Sequence, residues 1–199
     1  MAEGILQGVT VGLVFTGSHC TMEAVIPQVE KLKAEGAELY AIFSETVYAT
    51  DNRFYEAEAF RHIIEKLVDH PVIHTIPGAE PIGPKKLLDV AVVIPATGNT
   101  VAKLANGITD TAAAMAVKAH LRNQRPVVIA LSTNDALGMN AKNIGLLLNT
   151  RNIYFVPFRQ DDPAEKATSM TADLNLTLAT VRAALAGRQL QPVILGPVL

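Results

Sequence analysis

The sequence predicts an α/β protein of one domain, residues 1–199, in which helices cover both faces of a parallel sheet and form a three-layer sandwich. Its composition is 49% hydrophobic and only 5% aromatic, without tryptophan, which is typical of a parallel sheet buried on both faces. Continuous apolar runs alternate with helical patterns along the whole chain. Their connections are short, and such alternation gives right-handed βαβ units.

The first two strand–helix units are marked by apolar runs and glycine. Residues 9–16, VTVGLVFT, form a continuous apolar run that predicts a central strand. A helix follows over 22–32, where apolar residues recur at helical spacing, and Gly36 lies near its end. Residues 39–43, LYAIF, predict the second strand, and a polar stretch leads from it to a second helix over 57–68.

The middle of the chain contains the longest interruption. Residues 71–76 predict a third strand after a helix-stopping proline, and residues 77–84, PGAEPIGP, predict a rigid Pro/Gly-rich excursion. A fourth strand is predicted over 89–95. Two helices follow, over 100–105 and from Asp110 to residue 121, with Asp110 as the N-cap.

The last third predicts two strands, 126–131 and 153–156, and an amphipathic C-terminal helix over 168–186 that ends at Gly187. The complete pattern is that of a flavodoxin-like or Rossmann-like parallel sheet.

The composition argues against several classes of function. The 17 basic and 19 acidic residues nearly balance and form no basic cluster, so nucleic acid is not an expected partner. No apolar run approaches the ~18 residues of a membrane span, and no export signal is visible. The single cysteine, Cys20, fits a reducing compartment. These features together predict a cytoplasmic protein. Because no paired cysteines or H-E-x-x-H motif occur, no metal site is expected.

Four polar loops follow predicted strands, where open α/β sheets bind ligands. They lie at 16–19 (TGSH), 44–46 (SET), 95–100 (PATGNT) and 132–135 (STND). Each could simply cap the helix that follows it, but four such loops at one edge favour a ligand site. The first loop lacks both G-x-G-x-x-G and a GK[ST] phosphate loop. The PATGNT loop has no acid, base or nucleophile, so it predicts a ligand cradle and not a reaction.

Two of these motifs carry a family resemblance. The strand ending in TGS at 16–18, and the run P-A-T-G-N-T-x-x-K-x-A-x-G-x-x-D at 95–110, resemble the flavoprotein family of homo-oligomeric flavin-containing Cys decarboxylases and flavin prenyltransferases. The resemblance extends through AEPIGPKKLLD, STNDALGMNAKNIG and NIYFVPFRQDDP, over nearly the whole chain. It implies a flavodoxin-like fold, FMN as cofactor and trimers or multiples of trimers.

Within the family, the sequence is most similar to one component of a two-component oxidoreductase of sporulating bacteria. This implies a small dicarboxylate substrate and an NADPH-using partner protein. The resemblance also implies a set of FMN-binding residues: Gly17, Ser18, Ser44, Ala96, Thr97, Asn99, Thr100 and Asn134.

Two departures from the family pattern bear on activity. The family's PASANT reads PATGNT here, with Thr97 and Gly98 in place of Ser and Ala. Its substrate-clamping PxMNxxMW reads LSTNDALG at 131–138, without the Pro, Met and Trp. The nearest histidine to the position of the decarboxylases' catalytic one is His74, beyond the Pro-rich excursion. Decarboxylation of a peptidyl cysteine is therefore not expected.

Three ionisable residues are candidates for substrate chemistry. Arg53 could bind a carboxylate through two hydrogen bonds, or could be an exposed loop residue. Lys103 follows the PATGNT loop by about one helical turn and could contact the substrate or solvent. His19, the last residue of the first loop, is the candidate acid, base or donor, or it could simply bond a neighbour.

Three functions remain open at this point. The first is an FMN-binding oxidoreductase component in which flavin accepts a hydride. The second is a non-redox enzyme of the same family, a flavin prenyltransferase or decarboxylase. The third is a non-catalytic scaffold protein.

Overall fold

The computed structural model describes residues 4–18, 21–52 and 54–196. Five parallel strands form the centre of its sheet in the order β2-β1-β3-β4-β5. This is the flavodoxin-like order, and the predicted fold class is confirmed. The strands are β1 (Thr10–Phe15), β2 (Glu38–Phe43), β3 (Val90–Ala96), β4 (Val127–Thr133) and β5 (Ile153–Phe155).

Eight helices in the described residues surround this sheet. Two short 3₁₀ segments, Glu80–Ile82 and Leu174–Leu176, accompany them. None of the helices in the described ranges combines the length and the apolar character that crossing a membrane requires. The helices are α1 (Met22–Ala34), α2 (Glu45–Ala49), α3 (Ala57–Leu67), α4 (Ile76–Ala79), α5 (Gly98–Ala105), α6 (Ala112–Leu121), α7 (Ala141–Leu148) and α8 (Thr177–Leu185).

The C-terminal region differs from the predicted helix over 168–186. Two short strands, β6 (Phe158–Arg159) and β7 (Met170–Ala172), pair antiparallel, and β7 also pairs antiparallel with the end of β4. Met170 and Ala172 are buried on either side of a partly exposed residue, which is the two-residue period of a strand. Only the second half of the predicted helix is helical, as α8.

Three further element predictions were wrong in part. The predicted strand at 71–76 is reduced to one bridge between Ile73 and Ile42, because Thr75 accepts a hydrogen bond from Gly78 N and caps α4. Most of the Pro/Gly-rich excursion is therefore helical and 3₁₀ turn. The polar stretch after β2 contains α2. The helix predicted from Asp110 begins two residues later, because Thr111 is its N-cap.

The core beneath the carboxyl end of β1 is aromatic. The rings of Phe15 and Phe43 meet edge to face at 5.0 Å, and Phe60 from α3 lies 5.8 Å from both. Such pairs contribute about 0.5–1.5 kcal/mol beyond their buried area. They fix the ends of β1 and β2, from which the polar loops emerge.

His120 on α6 makes the folding stability of the protein depend on pH. Its side chain is fully buried, Nε2 lies 3.0 Å from Pro126 O, and Nδ1 has no partner in the described part of the chain. Burial lowers the pKa of His120 below its ordinary value of 6.5. Below that pH the unfolded chain binds a proton that the folded chain does not, so folding stability falls on acidification.

We expect the stability of His120→Gln to depend less on pH than that of the wild type, because an amide keeps a donor for Pro126 O without titrating. Urea unfolding at pH 7 and pH 5 measures this difference. Equal losses of stability on acidification in the two proteins would contradict it.

Candidate functional site

Two adjoining cavities open at the carboxyl edge of the sheet, beside the point where the chain leaves β1 and β3 in opposite directions. Gly17 and Thr97 line both. Ligands of doubly wound sheets bind at such a switch point. The first cavity, of about 230 Å³, is lined by Thr16, Gly17, Ser44, Glu45, Thr46, Thr97, Asn99, Thr100, Lys103 and Thr111.

Thr16 joins the two loops that separate at this point. Its hydroxyl donates to Pro95 O at 2.7 Å and accepts from Thr97 N at 3.1 Å. The side chain is only 2% exposed. One hydroxyl therefore satisfies a carbonyl and an amide of the PATGNT loop and holds that loop against the end of β1.

The first turn of α5 faces the first cavity. Thr97 is its N-cap: the hydroxyl accepts from Thr100 N at 3.2 Å and lies 2.9 Å from the Thr100 hydroxyl. The first intrahelical bond runs from Val101 N to Thr97 O, so the amides of Gly98 and Asn99 precede it. Free amides at a helix N-terminus attract anionic groups.

The rest of the first cavity is lined by the start of α2, by Lys103 one turn further along α5 and by the N-cap of α6. Ser44 caps α2 by accepting from Val47 N. Glu45 accepts from Ala112 N at 3.2 Å, which ties α2 to the start of α6. Lys103 is the cation of this cavity among the described residues, and its Nζ lies 2.7 Å from Asp110 Oδ1. The hydrogen bond from Lys103 lowers the pKa of Asp110.

The second cavity, of about 360 Å³, lies towards β4 and β7. At its floor the hydroxyls of Ser18, Thr21 and Ser132 are mutually hydrogen-bonded at 2.7–3.1 Å. These contacts join the first loop to the end of β4. The cavity lining is Gly17, Ser18, Thr21, Thr97, Gly98, Ser132, Thr133, Asn134, Asp135, Asp161, Lys166, Ser169, Met170 and Thr171.

Asn134 connects the second cavity to the segment between β6 and β7. Its side-chain oxygen accepts from the Ser169 hydroxyl at 3.3 Å, and its carbonyl accepts from the Thr168 hydroxyl at 2.6 Å.

Burial alone would raise the pKa of Asp161, but hydrogen bonds from Ser169 and its own backbone, with Lys166 nearby, lower it. The second cavity thus carries two carboxylates and one ammonium group.

The structure brings together most residues predicted for the site. The predicted residues that line the first cavity are Gly17, Ser44, Thr97, Asn99, Thr100 and Lys103, and those that line the second include Ser18 and Asn134. Ala96 lines neither cavity, because it ends β3 fully buried in the core. His19 and Arg53 lie outside the described residues.

Sequence reasoning missed several lining residues. Thr16 and Thr46 belong to loops that the sequence did single out. Thr111 is the N-cap of α6, but residue preference alone favours the neighbouring Asp110 at that position. Ser169 lies at the start of the segment that was predicted as the C-terminal helix, and Asp161 lies in the NIYFVPFRQDDP stretch, for which no site residue was predicted. In the described ranges no group of three or more histidine, cysteine or acidic side chains is arranged to hold a metal ion.

The fold and this edge site define a class, and the chain belongs to the flavoprotein family, whose model matches residues 2–181. It is 48% identical to the B subunit of dipicolinate synthase from Bacillus subtilis (strain 168) over 189 residues, which is 95% of this chain and 94% of the relative. The resemblance drawn from the sequence is thereby confirmed.

Solved structures agree with this assignment. The dipicolinate synthase B subunit from Bacillus halodurans superposes with a TM-score of 0.89 at 44% identity, covering 97% of this chain and 99% of that one. The FMN-dependent cysteine decarboxylase SpaF superposes with a TM-score of 0.64 at 21% identity, covering 93% and 99%. The second likeness shows a shared fold.

Proposed function

We propose that this chain acts as the FMN-binding B subunit of dipicolinate synthase. With an NADPH-using A subunit it would oxidise a dihydrodipicolinate-type intermediate to dipicolinic acid in the cytoplasm of the sporulating mother cell. The observation that carries the proposal is the hydroxyl-lined cavity at the β1/β3 switch point, the place where flavodoxin-like sheets hold FMN. Relatives of that name at 48% and 44% identity, aligned over nearly the whole chain, support it.

The residues of the first cavity fit the phosphate end of FMN. In the first turn of α5, Asn99 and the hydroxyl of Thr100 line this cavity, with the Gly98 amide at its border with the second cavity, and the hydroxyl of Ser44 lines it from the start of α2. Amides at a helix N-terminus and hydroxyl groups are the usual ligands of a phosphate. At about 230 Å³ the cavity is smaller than the ~300–1,000 Å³ of most ligand sites. It would therefore take the phosphate and part of the ribityl chain, with the ring outside it.

Bound FMN would supply hydride acceptance, and the chain would supply position and charge. Lys103 places an ammonium group at the first cavity, where it can stabilise an anionic ligand. Ser18 and Asn134 line the second cavity, and we assign them contacts with the remainder of the cofactor. Arg53 stays a candidate for binding a substrate carboxylate, and His19 for proton transfer.

The assembly is also part of the proposal. We expect a single flavoprotein-type domain that forms a trimer or a multiple of trimers and docks on the A subunit of dipicolinate synthase. One solved structure of the same fold, an FMN-dependent UbiX-like decarboxylase from Escherichia coli, is dodecameric.

The visible absorption spectrum of the purified chain, recorded before and after adding FMN, tests the cofactor directly. We expect bound absorbance in the flavin region. Ser18→Ala removes a hydroxyl from the Ser132 cluster and Asn99→Ala removes a side chain from the first cavity. Each should weaken FMN binding about tenfold, the equivalent of one hydrogen bond of ~1.4 kcal/mol. Asn149→Ala, at the end of α7, is the matched control.

A colourless chain that ignores FMN at high micromolar concentration would refute the flavin mechanism. In that case, restoration of dipicolinate synthesis when the colourless chain is added to the NADPH-using partner would indicate a partner-dependent or scaffolding subunit. Unchanged affinity in both variants, with the wild type bound tightly, would place FMN elsewhere.

A further inference from the structure

Gly98 lies where a side chain would collide with two others. A Cβ at this position would be 2.6 Å from Thr133 Oγ1 and 2.7 Å from Asn140 Nδ2. Contacts below about 3.0 Å do not occur for real Cβ atoms, so one of the partners would have to move. The first turn of α5 therefore lies directly against the end of β4 and the start of α7.

Asn140 cannot move without losing hydrogen bonds. Its Nδ2 donates to Asp135 Oδ2 at 3.1 Å, and its Oδ1 accepts from Asn143 Nδ2 at 2.9 Å. Asp135 is itself fixed, because its Oδ1 accepts from Met139 N at 3.0 Å. Both ends of the Asn140 amide are thus satisfied inside the protein, and a rotated side chain would leave polar groups unpaired.

The same chain of amides continues to the other end of α5. Asn143, which is 5% exposed, accepts from Asn106 Nδ2 at 3.3 Å, and Asn106 is the C-cap of α5. We call Asp135, Asn140, Asn143 and Asn106 the amide relay. It runs beside α5, with a hydrogen bond to the C-cap of that helix and a close approach of Asn140 to Gly98 in its first turn.

We propose that Asn140, held by its hydrogen bonds within the amide relay, is a positioning residue for the PATGNT loop. Gly98 allows Asn140 to approach this loop closely, because glycine has no side chain. Asn140 contacts the first turn of α5 and acts through the Gly98 and Asn99 amides. Hydrogen bonds weaken steeply with small displacements of a donor, and a functional site must be held to within about 0.5 Å. The role of this loop in binding FMN rests on the function proposed above.

Backbone amide exchange of the ligand-free protein tests the positioning itself. In Asn140→Ala we expect the Val101 amide, which makes the first intrahelical bond of α5, to exchange about tenfold faster, the equivalent of ~1.4 kcal/mol of local stability. Gly98→Ala should show the same effect, because its Cβ displaces the turn. Asn149→Ala, which lies at the other end of α7, should leave Val101 unchanged.

A steric rescue separates positioning from general damage. Gly98→Ala combined with Thr133→Ala and Asn140→Ala removes both colliding groups, so Val101 protection should return to that of the Thr133→Ala/Asn140→Ala pair. A Gly98→Ala protein with wild-type exchange would overturn the proposal. So would a triple variant that is clearly less protected than the Thr133→Ala/Asn140→Ala pair.

Ligand binding supplies the second readout. In Asn140→Ala the affinity for FMN should fall about tenfold, while that for riboflavin, which lacks the phosphate, should fall less than about twofold, because only the phosphate contacts the α5 amides. Equal losses for both ligands would indicate a merely structural role for Asn140. A wild type that binds neither flavin would refute the proposed function, while the exchange measurement would still decide the positioning role.

Discussion

Replacing Thr16 with valine is expected to destabilise the protein by about 2–4 kcal/mol, because two buried backbone groups lose one shared partner. Valine has nearly the shape of threonine, but it cannot donate to Pro95 O or accept from Thr97 N. The residue is only 2% exposed, so water can compensate poorly for the lost hydroxyl. The free energy of urea-induced unfolding measures the loss.

Thr16→Ser is the matched control, because serine keeps the hydroxyl and removes only a methyl group. We expect it to cost about 1 kcal/mol, the value of one buried methyl group. Since the same hydroxyl fixes the PATGNT loop, Thr16→Val should also lose FMN absorbance under conditions where it remains folded. Equal stabilities of the valine and serine variants would show that the two hydrogen bonds contribute little.

The central strands of the sheet could be predicted, because their apolar sequences match their burial in the structure. β1 and β3 are buried along almost their whole length, so no polar alternation interrupts their apolar runs. The polar residues that end these strands were predictable for the same reason. Where a segment has only one buried side, as in β7, three residues are too few to distinguish a strand from the first turn of a helix.

The hydrogen bonds between the loops of the site could not be predicted from the sequence, because they depend on strand order and register. Ser18 reaches Ser132 across 114 positions, and Thr16 reaches Pro95 across 79. The sequence identified the loops involved, but not which hydroxyls would meet. The amide relay could not be predicted for a similar reason. The sequence shows that Gly98 departs from the family motif, but only the structure shows that a Cβ at this position would collide with Asn140.

Replacing Lys103 with methionine is expected to weaken FMN binding about tenfold to a hundredfold, because a hydrogen bond between charged groups contributes ~1.5–3 kcal/mol. Lys103 lines the first cavity and its side chain is 19% exposed. Riboflavin should lose much less affinity than FMN, since in the proposed site the ammonium group would act on the phosphate. Flavin fluorescence titration of both ligands measures the difference.

Two matched variants show whether the charge itself is responsible. Lys118→Met removes a lysine from α6 that shares a neighbouring, mainly apolar cavity with Lys103 but does not line the first cavity, and it should leave FMN affinity unchanged. Asp110→Asn removes the carboxylate that holds Lys103 at 2.7 Å, so the ammonium group becomes free to turn towards the ligand and FMN affinity should rise. The rise should diminish at high salt, where exposed charges are screened. If Lys103→Met and Lys118→Met bind FMN equally well, the phosphate does not lie at the first cavity.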